Sequence, residues 1–253
     1  MSAVRNTPRK PSRLSKVDAN ALAASAESPP SPSTRAPTGD ADHSPTALIV
    51  QAITQAIVEH RLQPGTKLVE QTIGDRFGVS RTIVRQALFK LEQMKLVTQE
   101  PARGTFVAQP SVQEAREVFA VRRMIEGQMI RDLTPRLKAA DLQKLKAHIR
   151  QEKQAVQRLD VAARTRLLFD FHVLLAQLTG NQVLVALMTE LVSRCSLIGL
   201  MYQSASDAAT SHHEHADIMQ ALEARDADRA AQLMADHLQV VEAQLTEHRR
   251  TPL

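Results

Sequence analysis

The sequence predicts a mainly α-helical protein: an N-terminal winged helix-turn-helix with a small β hairpin as its wing, then a C-terminal all-α antiparallel helical bundle. Three observations predict it. Apolar residues recur at three- and four-residue steps from Pro45 to the C-terminal region, with breaks at proline, glycine and aspartate. Two-residue alternation is concentrated around one short stretch, "KLVTQEPARGTFVAQ". Aromatic residues make up only 3% of the chain and tryptophan is absent, so packing rests on Leu, Val, Ala and Met, a mixture that favours helices.

Taken in order, residues 1–43 hold six of the twelve prolines and no sustained apolar period, which reads as a disordered tail. Leu48, Ile49, Ala52, Ile53, Ala56 and Ile57 then mark an amphipathic helix ending near His60. Pro64-Gly65 forces a turn, and Leu68-Val69 suits a short strand. A brief helix with Ile73 and Phe77 inward stops at Gly78. Ser80 is an N-cap residue type for the next helix, whose buried stripe is Ile83, Val84, Ala87, Leu88 and Leu91. Two helices joined by "GVS" describe a helix-turn-helix, and the two-stranded hairpin around "EPARG" is its wing.

Beyond Pro110 the helical period continues over about 112–133, 137–158, 161–179, 181–202, 208–223 and 226–247, with breaks at Pro135, Asp160, Gly180-Asn181 and Arg225-Asp226. The expected division is a tail at 1–43, a winged helix-turn-helix at 44–110, and an all-helical unit at 111–249.

Charge separates these parts. Residues 1–43 carry six Lys/Arg against four Asp/Glu, residues 44–109 eight against five, and residues 110–253 eighteen against eighteen. A basic front and a neutral rear place a polyanionic partner at the front. A single cysteine, Cys195, rules out an intramolecular disulfide and suits a reducing compartment, so a cytoplasmic, nucleoid-associated protein is expected. No signal-peptide pattern and no membrane span are read from the sequence, and no membrane partner is expected.

The front helix "SRTIVRQALFKLEQM" has the residues that duplex DNA requires. Arg81 and Arg85 are four apart and share a face, with Thr82 and Gln86 beside them, while the apolar stripe turns inward. Arginine forks onto guanine and glutamine onto adenine in the major groove. Ser80 and the first-turn amides suit a phosphate. Arg103, at the tip of the wing, suits a phosphate or minor-groove contact, and Gly104 permits close approach.

The run "HRLQPGTKLVEQTIGDRFGVSRTIVRQALFKLEQMKLVTQEPARGTFVAQ" resembles the winged helix of GntR-type bacterial transcription regulators. The resemblance implies DNA contacts at Ser80, Arg81, Thr82, Arg85, Arg103 and Gly104, with Gln71 a further candidate. Gly74, Ile83, Gln86 and Lys95 stand where the family pattern has Ala, Pro, Glu and Gly. Loss of the acidic residue at Gln86 implies a shifted operator preference.

Residues 113–247 are similar to the helical effector-binding domain of the FadR-like subfamily, called FCD, through "VRRMIEGQMIRDL", "FHVLLAQLTGN" and "HEHADIMQALEARDADRAAQLMADHL". By that resemblance His172, His215 and His237 are the histidines of a divalent metal site for Zn2+, Ni2+ or a similar ion. The family's metal-ligating aspartate is missing, because Leu168 stands four residues before His172 and Asp170 points elsewhere on the helix. Three structural histidines in a polar pocket are the competing reading. Arg122 is expected either to pair with Glu126 one turn away or, by resemblance, to hold a small carboxylate effector. Arg194 is a second pocket-facing candidate. His212 and His213, near a helix start, are expected to be solvated, and Cys195 to be a small buried hydrophobe.

Together these features imply a homodimeric, effector-controlled transcription regulator that acts on an operator as a repressor. A different class, a metal-dependent hydrolase tethered to nucleic acid by its front, requires a general base beside the histidines. The sequence shows no obvious candidate for one.

Overall fold

The computed structural model describes residues 44–202 and 207–247. The expected tail at 1–43 lies outside the described residues. The chain is mostly helical, as the apolar spacing predicts. Helix α1 (Pro45–Val58) starts at Ser44, whose hydroxyl accepts the Ala47 N–H at 3.1 Å, with Pro45 fixing the first turn. It buries Ile49, Ile53, Ala56 and Ile57 and stops two residues before His60, which turns the chain with a φ of 60°.

Strand β1 (Lys67–Leu68) leads into α2 (Glu70–Phe77), which ends at Gly78. Gly78 has a φ of 64°, the left-handed conformation that closes a helix when no Cβ interferes. Helix α3 (Arg81–Gln93) follows, with Val84, Ala87, Leu88 and Leu91 against α1. Ser80 takes the N-cap backbone conformation, but its side chain makes no capping hydrogen bond.

The wing departs from the two-stranded hairpin read in the sequence. Strands β2 (Val97–Glu100) and β3 (Gly104–Val107) pair antiparallel, and β1 adds to the far edge of β3, giving the order β1-β3-β2. Two residues are too few to show alternation, so this pairing is visible only once Lys67 faces Phe106.

The body consists of α4 (Val112–Leu133), a short 3-10 turn (Thr134–Arg136), α5 (Ala139–Gln157), α6 (Val161–Leu178), α7 (Gln182–Tyr202), α8 (Asp207–Glu223) and α9 (Ala227–Glu247). Ser111 and Asp160 cap α4 and α6 through their side chains. One core runs through the bundle, including Phe119, Ile130, Phe171, Met188, Ile218 and Leu238. A second fills the front unit, and Leu197 of α7 joins it. The front therefore packs on the body through α1. Stretch Gln182–Gly199 of α7 is long and apolar enough to cross a membrane, but half of it is buried and it carries Glu190 and Arg194.

Candidate functional site

Two regions bear the chemistry. On the front unit, Gln71, Ser80, Arg81, Thr82, Arg85 and Gln86 are all exposed. Helix α2 supplies acceptors for the arginines of α3. Arg81 donates to Gln71 Oε1 from Nε at 3.0 Å and from Nη2 at 2.6 Å. Arg85 Nε lies 3.0 Å from both carboxylate oxygens of Glu70. Exposed pairs of this kind hold guanidinium groups in register without locking them. Gln86 accepts from the Thr46 hydroxyl at 3.4 Å, a link back to α1.

The wing residues gather separately. Arg103 pairs with Glu100 and sits 5.4 Å from the Phe106 ring centroid, with the Lys67 ammonium 5.7 Å from the same centroid. Gly104 has a φ of 104°, and a Cβ there would meet the Lys67 side chain at 3.3 Å. Lys67 is a cation of this surface that the sequence reading missed, since only β1 pairing brings it beside the tip.

In the body, His172 of α6, His215 of α8 and His237 of α9 converge. Their ring centroids are 5.2, 5.4 and 4.7 Å apart, and one ligand nitrogen from each lies within 4.8 Å of the others. All three are buried. Their Nδ1 atoms each meet a different glutamate: His172 with Glu126 at 2.6 Å, His215 with Glu152 at 3.1 Å, His237 with Glu214 at 2.7 Å. A carboxylate on Nδ1 fixes the tautomer that leaves Nε2 as a lone-pair donor. His215 Nε2 and His237 Nε2 are 3.3 Å apart. Nitrogens about 2.05 Å from a tetrahedral Zn2+ are separated by about that much, so the pair suits a shared ion as it stands.

Electrostatics agree with neutral rings at His172 and His237. Burial pushes His172 down to about 3, with the Arg122 charge adding to it against the opposing pull of Glu126. Burial also lowers His237. Burial works against ionisation of Glu126, but Arg122 and His172 outweigh it and hold that carboxyl down at about 2.

Arg122 and Glu126 form the intrahelical pair, Nε to Oε1 at 2.6 Å, with both side chains almost fully buried. Since Glu126 Oε2 meets His172, Arg122 is one carboxylate away from the cluster. Its Nη1 donates to Cys195 Sγ at 3.4 Å, and its Nη2 is buried without a partner. Cys195 is the buried residue expected, and burial raises its thiol.

Two expectations need correction. Arg194, expected to face the pocket, spends its guanidinium on Glu114 at the start of α4, at 2.6 Å. His212, expected to be solvated, is buried and its Nδ1 lies 3.2 Å from Glu152, which also meets His148 and His215. Packing of α8 against α5 turns His212 inward, a contact that helix-start position does not disclose. His213 is exposed. Glu126, Glu152 and Glu214 were missed as partners because each reaches its histidine from another helix.

The model for "Bacterial regulatory proteins, gntR family" matches residues 45–107, and the FCD domain model matches residues 117–240. The chain belongs to the GntR family and carries an FCD domain. The regulator is 30% identical over 219 residues to the Uxu operon regulator of Haemophilus influenzae, covering 79% of this chain and 81% of that protein. It is 28% identical over 203 residues to the HTH-type transcriptional repressor RspR of Escherichia coli K12, covering 80% and 89%. A solved GntR transcriptional regulator from Rhodococcus sp. RHA1 is similar with a TM-score of 0.73 at 25% identity, over 79% of this chain and 97% of that one. The E. coli McbR/YncC structure shares the fold at a TM-score of 0.73 and 19% identity, over 81% and 99%. The family and these relatives make the chain a transcription regulator rather than an enzyme, of a family whose helix-turn-helix members bind DNA operators. The hydrolase reading has no support among these relatives.

Proposed function

We propose that the protein is a homodimeric repressor whose hold on its operator is released by a small carboxylate metabolite bound in the helical body. Residues 44–110 form the DNA-reading unit and residues 111–249 the effector-binding and dimerisation unit. Arg81, Arg85 and Gln86 read base edges, while Ser80 and Thr82 meet the backbone and Gln71 sets Arg81. Arg103 and Gly104 bring the wing against the adjacent groove. Two copies place two recognition helices on half-sites about one helical turn apart. Val121 and Met124 of α4, exposed at 40% and 75%, form an apolar strip that a second copy would cover.

The single observation that carries the effector reading is the buried, unpartnered Nη2 of Arg122 beside the three converging imidazoles. A buried donor of that kind is ordinarily satisfied, and a carboxylate satisfies it with a charge-assisted bond. The three Nε2 donors fit a borderline divalent ion such as Zn2+ or Ni2+, which when bound supplies a positive docking point for the same carboxylate. The effector must bind the DNA-releasing conformation more tightly than the DNA-bound one, or nothing shifts.

Selection of a binding sequence from a random duplex library tests the first half, followed by anisotropy titrations. Arg85→Ala should weaken the selected duplex roughly 10- to 100-fold and random DNA much less. A panel of small carboxylates should then release the wild type and leave His215→Ala on the DNA. No enriched sequence at near-cellular salt would end this reading.

A further inference from the structure

We propose that the cleft between the DNA-reading unit and the body is a second ligand site, separate from the histidine cluster, that takes an apolar organic anion. The cleft has a volume of about 430 Å³. Small-molecule sites span roughly 300–1,000 Å³, so one drug-sized molecule fits. Helices α1 and α3 form one wall, and α6 and α7 the other. Val50, Val58 and Met94 face Phe169, Val173 and Val192 across it.

Two polar features point to the chemistry of the ligand. Thr54 lines this space, and its Oγ1 is buried without a hydrogen-bond partner. Hydroxyls so placed are ordinarily satisfied, which leaves a donor and acceptor for a ligand. Lys90 also lines the cleft and, among the described residues, makes no ion pair. Asp170, the acidic lining residue, lies within the fields of His148 and Arg166, though burial still raises its carboxyl. The group left to meet an anion in the cleft is therefore the Lys90 ammonium.

An apolar body with one anionic group satisfies all three features. The aliphatic and aromatic walls cover the body, Lys90 meets the anion, and Thr54 meets a polar atom. A small polar acid of the kind expected at Arg122 would leave the apolar walls unfilled, so the two sites select different molecules. Because the cleft is made jointly by the head and the body, its occupant favours the head placement that the cleft fits. Occupancy and DNA affinity are then linked, and by reciprocity DNA alters ligand affinity by the same factor.

The probe is 8-anilinonaphthalene-1-sulfonate, an apolar bicycle with one sulfonate, titrated into the full chain by fluorescence. One saturable site per chain is expected. Val50→Trp, which fills the cleft from α1, should weaken the probe at least about tenfold, and Lys90→Gln by about three- to tenfold with a smaller salt dependence. Excess succinate should leave the probe bound. Lys90 is exposed, so Lys90→Gln keeps the fold and decides alone should thermal melting show Val50→Trp unfolded. Unchanged probe binding in Lys90→Gln or in folded Val50→Trp overturns the proposal. So does displacement by succinate, which assigns the probe to the Arg122 pocket, or the absence of saturable binding.

Discussion

Each imidazole of the cluster commits its Nδ1 to a different glutamate, and that division of labour explains why three histidines from three helices are buried together. Neutral rings tolerate burial far better than charged ones, and the carboxylates select the tautomer that aims Nε2 inward. What the cluster lacks is an anionic ligand of its own, because Leu168 occupies the position one turn before His172 on α6. Leu168→Asp should add that ligand on the same helix face. Affinity for Zn2+, measured by competition with a chromophoric chelator, should rise by at least about tenfold, the scale on which even outer partners of a metal ligand act. An unchanged affinity would mean that the ion, if it binds, sits elsewhere.

Among the elements, α1 and α6 carry the junction between the two units. Glu59, just past α1, is bonded by Arg61 beside it and by Arg166 of α6, whose Nη1 is 3.2 Å away. His60 follows with a φ of 60°, and its Nε2 is buried without a partner. Burial, with the charge of Arg164 in support, pushes its imidazole down. The sign is then fixed: above the ordinary histidine range both folded and unfolded chains are neutral at this residue, and stability is unaffected. As pH falls below about 6.5 the unfolded chain takes up a proton that the folded chain resists, so stability declines. Asparagine tolerates the left-handed backbone and does not titrate. His60→Asn should therefore lose less stability between pH 7.5 and pH 5.5 than the wild type, as read by urea midpoints at the two values. Equal losses would show that His60 does not set the acid sensitivity.

At the scale of the whole molecule, α6 links the cluster to the front: it carries His172 and, six residues earlier, Arg166. Zn2+ that binds only the folded chain should stabilise it by about 2.7 kcal/mol at a hundredfold excess over Kd, which is roughly 5–10 °C in Tm for a chain of this size. Chelation should reverse the shift, and His237→Ala should abolish it. A wild-type Tm indifferent to Zn2+ would leave the three rings as structural hydrogen-bonding groups. Much of this architecture is legible in the chain alone, because apolar spacing, caps and glycine stops are local properties: the helix-turn-helix from Gly78, Ser80 and the stripe on α3, and the bundle from unbroken helical periodicity. The three histidines could be named too, but only by their likeness to a family pattern. Tertiary structure decided the rest. It added β1 to the wing, turned His212 inward, drew Arg194 to Glu114, and brought Glu126, Glu152 and Glu214 onto their histidines. Spacing along one helix says which residues share a face, whereas contacts between helices depend on how those faces pack, and packing is a property of the folded chain as a whole.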